Sequence, residues 1–384
     1  MKKLLVLAAA MSIIYAFSTE EKVNNGYTPE ELRSLYGSGN PSIWPKPQLF
    51  DEAKEGFQDI GPLGEMAFPA DNPYSKDKED LGKALFFDPR LSKSGQISCA
   101  NCHNPEIGWA DGQRVSFGHD RLPGTRNAPT LINIGYAKTF FWDGRASTLE
   151  EQVTHPIENP VEMNFHSDLA VKRIAKIKGY RPLFDKAFGD DKVSKDRINK
   201  AIATFERTIV SHTSRFDKFV KGKKDEFTDS EINGLHLFRT KANCINCHNS
   251  SYFSDQKFHN VGLTYFGRTL QDLGLYEITK KNEDVGKFKT PTLREITSTA
   301  PYMHNGLFPH LRGVLNLYNS GMPTEKRNPE SELFPKKSEM LVKLNLTDTE
   351  INDLENFLKT LHSLNYRMRP PELPKNKIEK KETE

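Results

Sequence analysis

All four cysteines of the 384-residue chain stand in two copies of one short pattern, Cys99-Ala100-Asn101-Cys102-His103 and Cys244-Ile245-Asn246-Cys247-His248. Two thiols at that spacing can bond to the two vinyl groups of a haem while the histidine that follows ligates the iron. Zinc ribbons keep their CxxC pairs within about 15–20 residues of each other, whereas these pairs begin 145 residues apart. A disulfide framework has no use for an adjacent histidine in both copies. The pattern points to two covalently bound c-type haems.

The elements that must hold such groups read as helices joined by long loops, with sparse strand signals. A helix begins near Ser75 with Leu81, Ala84 and Leu85 on one face, and Ser194 caps another that carries Ile198, Ala201, Ile202, Phe205 and Ile209. Thr228 with Glu231 and Thr347 with Glu350 form capping boxes before two more. Around them runs a repeat. Pro129-Thr130-Leu131 follows the first haem motif, with Trp142 thirteen residues beyond Pro129; Pro291-Thr292-Leu293 follows the second, with His304 thirteen residues beyond Pro291. The expected fold is mainly α, two cytochrome c-like haem domains related by internal duplication.

One slot separates the copies. Fourteen residues after Trp142 stands Pro156, which cannot ligate a metal, and fourteen after His304 stands Tyr318, which can. If that slot faces the open side of each haem, the second iron is closed and the first stays open for a small molecule, where a plain electron carrier would more often close both.

The opening residues MKKLLVLAAAMSIIYAFS read as a secretory signal, with Ala16 and Ser18 at the −3 and −1 cleavage positions. The apolar run is short of the roughly 20 residues of a membrane span. Export suits covalent haem attachment, so the periplasm is expected, with no membrane span after processing. Cleavage would lower the formal charge from +3 to +1, and nothing suggests nucleic acid. The expected layout is signal peptide 1–18, an N-terminal arm 19–74 over the surface, a first haem domain 75–205, a second haem domain 206–365 and a flexible tail 366–384.

RNAPTLIN (126–133), FWDGRASTLEEQ (141–152), NPVEM (159–163), FHNVGL (258–263), KTPTLRE (289–295) and APYMHNG (300–306), together with the two haem motifs, resemble the bacterial di-haem cytochrome c peroxidase family from about Lys76 to about Leu361. The resemblance implies roles. His103 is the proximal ligand of the peroxide-reacting haem, His248 that of the electron-transfer haem, and Trp142 a stepping stone for electrons between them. Glu162 is the acid/base of the distal pocket, with Gln152 nearby; burial that raises a carboxyl pKa suits it to that task. His119 matches a loop histidine that blocks the peroxide-reacting haem in resting forms and swings away on reduction. Asn127, with the backbone carbonyls of Thr299 and Pro301, matches an inter-domain calcium site of oxygen ligands.

Tyr318 departs from the methionine usual in the family. A hard, anionic tyrosinate lowers the haem potential, and here the chain is similar to the subgroup that includes the maturation enzyme of methylamine dehydrogenase. Met322 or Met303 could ligate instead. His155, next to Pro156, is expected near the open haem, and His304, where the first copy has Trp142, beside the second haem; His212, His236, His259, His310 and His362 read as structural or exposed. The functional readings are three: a periplasmic peroxidase that reduces hydrogen peroxide with electrons from a small cytochrome c or a cupredoxin, a peroxide-driven oxidase of aromatic residues on a partner protein substrate, and a non-enzymatic electron carrier or redox sensor. Relatives of this kind are often dimers, so a homodimer is expected.

Overall fold

A computed structural model describes residues 26–363 and 368–376. The expected signal peptide lies outside the described residues, as do 366–367 and 377–384 of the expected tail. Within them helices and long loops dominate, and the one sheet pairs two-residue strands, Phe258–His259 and Phe288–Lys289, antiparallel with Phe258 opposite Lys289. No described helix is long and apolar enough to cross a membrane.

Four helices form the frame, and their starts follow the caps. Ser75 accepts from the Lys78 N–H before helix Lys76–Phe86, and Ser194 accepts from the Arg197 N–H before helix Lys195–Arg207. Complete capping boxes at Thr228/Glu231 and Thr347/Glu350 open helices Asp229–Arg239 and Asp348–Lys359. The members of each pair cross at a glycine. A Cβ on Gly82 would lie 1.9 Å from the Ala201 carbonyl oxygen, and one on Gly234 would lie 2.0 Å from that of Asp353. No other residue allows backbones so close.

Two apolar cores follow. The first holds Leu81, Phe86, Leu149, Phe205 and Ile209, the second Phe216, Phe238, Leu354 and Phe357. The chain passes from one to the other between Ile209 and Phe216. The boundary expected after residue 205 would cut the last turn of helix Lys195–Arg207, so the lobes divide a few residues later.

Both ends of the described chain are built in. The arm contains a helix the periodicity did not reveal, Pro29–Tyr36, although Thr28 and Glu31 make a capping box there. Leu32 and Tyr36 are fully buried and join Trp44 and Ile60 in the second core, so this part of the arm is core rather than a surface wrap. Arg239 fastens it, donating to the Pro45 carbonyl at 2.5 Å and pairing with Asp59. Residues 368–376, expected as flexible, strap the first lobe: Arg90 donates to the Pro374 carbonyl and Gly179 to that of Lys375, each at 3.0 Å, while Met368 and Leu373 pack on the first core.

Candidate haem-binding site

The two CxxCH motifs open onto a single cavity of about 460 Å³ whose walls come from both lobes, and Cys99, Cys102, His103, Cys244, Cys247 and His248 all line it. Ile202 and Leu315 are among its apolar walls. Each motif begins as one 3₁₀ turn, Cys99–Asn101 and Cys244–Asn246. The turn brings the histidine back over its first cysteine, with His103 N–H on the Cys99 carbonyl at 2.9 Å and His248 N–H on that of Cys244 at 2.8 Å.

The imidazoles are oriented alike. His103 Nδ1 donates to the Trp109 carbonyl at 3.2 Å and His248 Nδ1 to the Phe253 carbonyl at 3.1 Å. A carbonyl can only accept, so Nδ1 carries the proton and Nε2 keeps its lone pair for a metal. Thr130 and Thr292 buttress these turns, their hydroxyls donating to the Gly108 and Tyr252 carbonyls at 2.6 Å each. Burial pushes the thiol of Cys244 up to about 12 and that of Cys99 higher still. A zinc site needs ionised thiolates; neutral thiols beside a roomy apolar space suit addition to haem vinyl groups. The residues fit two covalent haems.

Glu162, Gln152 and Pro156 line the cavity in the first lobe. Pro156 belongs to helix Leu149–Glu158, and the Met163 N–H donates to its carbonyl at 3.1 Å, which keeps Glu162 beside it. Burial raises the Glu162 carboxyl, opposed by a hydrogen bond from Asn159 (2.6 Å) and the charge of Arg145. His119 is placed otherwise. Its backbone N–H donates to the Glu162 carbonyl at 2.7 Å, but its buried ring does not line the cavity and turns Nε2 to within 3.5 Å of the Asp120 carboxylate. Gly118 sets this docking: a Cβ there would lie 2.2 Å from the Val161 carbonyl oxygen.

In the second lobe Tyr318, on helix Leu311–Asn319, lines the cavity, and burial, then Cys247 and Cys244, push its phenol up. Met303 also lines the cavity, whereas Met322 does not. Trp142 joins the lobes. Its Nε1 donates to the Asn127 carbonyl at 2.9 Å, the Asn127 N–H donates to the His304 carbonyl at 2.7 Å, and the rings of Trp142 and His304 meet edge to face at 6.4 Å. His304 stacks on Phe288 at 3.5 Å, and burial pulls it down to about 4, so it is neutral. Asn127, Thr299 and Pro301 line the same cavity.

Three lining residues carry chemistry that sequence reasoning did not assign. Glu206 is buried with Oε2 unpartnered among the described residues, and burial raises it to about 8. His259, read as structural or exposed, pairs with Asp255 at 2.8 Å; burial opposes its charge, but Asp255 and Cys247 outweigh that and hold it up to about 10. Lys289 is the third. Their motifs were visible, but nothing local in a sequence distinguishes a cavity-facing Glu or Lys from a solvated one. His155 packs edge to face on Phe141 and does not line the cavity; His236 is buried against the Tyr36 hydroxyl, His362 pairs with Glu295, and His212 and His310 are exposed.

Twin CxxCH turns with free Nε2 atoms on a shared cavity define a two-haem c-type protein. The family model described as di-haem cytochrome c peroxidase matches residues 76–225. The methylamine utilization protein MauG of Methylophilus methylotrophus is 38% identical over 310 residues, covering 80% of this chain and 88% of that protein. The cytochrome c551 peroxidase of Nitrosomonas europaea is 43% identical over 235 residues, 61% of this chain and 70% of that one. Among solved structures, a MauG-like protein associated with microbial copper homeostasis superposes with a TM-score of 0.71 at 34% identity, covering 78% of this chain and 93% of that chain. The chain belongs to the di-haem cytochrome c peroxidase family. It is accordingly an oxidoreductase with two haem cofactors, of a family that takes peroxide as substrate and a cytochrome as donor.

Proposed function

We propose that the protein reduces hydrogen peroxide to water in the periplasm at the cavity end formed by Cys99, Cys102 and His103, with electrons entering through the end formed by Cys244, Cys247 and His248. The observation that carries this reading is the buried, cavity-lining carboxyl of Glu162 beside Pro156, a residue that leaves its slot without a ligand. Haem, when bound, supplies an iron that can take up peroxide and pass electrons to it. Glu162 moves the proton. It accepts one from the first oxygen of hydrogen peroxide and returns it to the second, so that the O–O bond breaks with one oxygen leaving as water; two electrons and two further protons complete two waters. Its raised pKa makes it a stronger base than a solvated glutamate, and the Asn159 hydrogen bond fixes its direction.

The remaining roles follow from position. Gln152 faces the same space, and Trp142, hydrogen-bonded to Asn127 and edge to face with His304, is the electron stepping stone between the lobes. Tyr318, on the cavity wall of the second lobe, would supply an oxygen ligand to the second iron. His119, with its ring outside the cavity, leaves the first site accessible without a movement, which supports a protein that needs no prior reduction. Asn127 and the carbonyls of Thr299 and Pro301 would hold a calcium ion; neither carbonyl accepts a hydrogen bond among the described residues, and oxygen donors are what calcium takes. Hydrogen bonds that recur at corresponding positions support two haem lobes, 75–214 and 215–363, descended from one. A homodimer remains part of the proposal.

Tyr318 favours a second reading, the peroxide-driven oxidation of aromatic side chains on a partner protein, and the likeness to MauG supports it. The reduction potential of the second haem, measured with turnover assays, separates the two. Peroxide consumed at the expense of reduced cytochrome c or a cupredoxin, at the lowered potential that a tyrosinate ligand gives, is the expected result. A strongly negative value without donor oxidation favours the protein-oxidising reading, and no peroxide consumption at all overturns both.

A further inference from the structure

Apart from histidines, three basic side chains line the cavity: Arg126, Arg145 and Lys289. The two arginines are matched by carboxylates. Arg126 grips Asp272 with contacts of 2.7 and 2.8 Å and also reaches Asp143, which Arg145 meets at 2.9 Å. Lys289 has no carboxylate. Its Nζ donates to the Thr139 carbonyl at 2.5 Å and lies 5.8 Å from the Phe140 ring centre, and among the described residues it makes no ion pair. Two of its three N–H donors are unspent.

A lysine in this position is costly without an anion. Burial alone pulls its ammonium down to about 8, with no acidic side chain to offset it. Its backbone is held firmly, because the Lys289 N–H donates to the Trp142 carbonyl at 2.9 Å from the strand Phe288–Lys289. The side chain crosses to Thr139 of the first lobe while Pro291, two residues on, faces His248 of the second. It stands where the lobes meet. The groups the cavity is built for carry carboxylates of their own, the haem propionates.

We propose that Lys289 is the counter-ion of a haem propionate at the junction of the lobes, fixing that carboxylate beside Trp142. This rests on the two-haem reading of the site. The lysine acts as a positioning residue: it completes the ion pair that the wall lacks, and its positive charge favours the reduced, more negative state of the haem it serves. The other reading of Lys289 is a residue that only ties the strand Phe288–Lys289 to Thr139 and leaves the propionates to water.

The test uses the haem-loaded full chain and its Lys289→Met and Lys289→Arg variants. Haem content by pyridine haemochrome comes first, and two haems in the parent protein establish the reading on which the proposal rests. With two haems retained, Lys289→Met is expected to shift one haem's midpoint potential to lower values in spectroelectrochemistry and to move its propionate-bending band in resonance Raman. Lys289→Arg should restore both toward the parent. Unchanged potentials and propionate bands in Lys289→Met overturn the proposal even though both haems are present. Lys289→Gln, of similar length and uncharged, gives the same reading where methionine is not tolerated.

Discussion

His103 and His248 have matching settings: a 3₁₀ turn ahead, a backbone carbonyl on Nδ1 at 3.2 and 3.1 Å, and a threonine hydroxyl bracing the neighbouring loop at 2.6 Å. The lobes part company across the cavity. The first presents Pro156, Glu162 and the buried acid Glu206, whereas the second presents Tyr318 and, on the helix that answers to Lys195–Arg207, Leu358. That correspondence follows from the glycine crossings, since Gly82 meets Phe205 as Gly234 meets Phe357. The scaffold of each metal site is thus held constant while the residues facing it are exchanged. On the proposed reading, holding a haem and deciding what it does are tasks of different residues.

The contrast can be broken most sharply at Glu162. Glu162→Gln keeps shape and both haems but cannot take a proton, so peroxide turnover should fall by about 10²–10⁴-fold in a stopped-flow assay; unchanged turnover would remove Glu162 from the reaction. For the parent, activity should fall as pH drops through the raised Glu162 pKa, because the protonated acid cannot serve as a base. Making the second lobe an ordinary electron acceptor is the next step. Tyr318→Met should raise the second haem's potential by a sizeable part of the roughly 0.8 V that axial ligands span, and magnetic circular dichroism should lose a tyrosinate signal and gain a thioether one.

Smaller effects probe what lies between and beneath. Trp142→Phe keeps an aromatic ring but removes the hydrogen bond to Asn127; inter-haem electron transfer should slow by about tenfold, or about 1.4 kcal/mol, and an unaffected rate would mean another route. Glu206→Gln tests the buried acid of the first lobe. Its carboxyl is held up at about 8 against a usual 4.5, so its contribution to stability is full below about 4.5 and is lost as pH rises toward 8. The slope is at most about 1.4 kcal/mol per pH unit. Thermal melts of the variant should be flatter than the parent's between pH 5 and 8, and parallel curves would show Glu206 already ionised.

Much of the frame was legible because its signals are local. Ser75, Ser194 and the boxes at Thr228 and Thr347 start their helices where the sequence puts them. Thr28 and Glu31 gave the same signal, but helix Pro29–Tyr36 buries only Leu32 and Tyr36, too few for a period to show. The two-haem character of the family was equally readable, since four cysteines and two histidines at fixed spacing need no tertiary context. What was not readable depends on which way a side chain turns. The loop around His119 was recognised, yet Gly118 against Val161 directs the ring away from the cavity. Lys289 and Glu206 looked like any charged residues until the fold buried them.

The routes of the chain ends carry a consequence for how the molecule can be divided. The segment that precedes the first lobe fills the core of the second through Leu32, Tyr36 and Trp44, and the segment that follows the second lobe is fastened to the first at Arg90 and Gly179. Each lobe therefore borrows part of its wall from the far end of the polypeptide. A gene cut at residue 214 would yield two fragments, each missing a piece carried by the other, and they would have to be mixed and associate to restore either one.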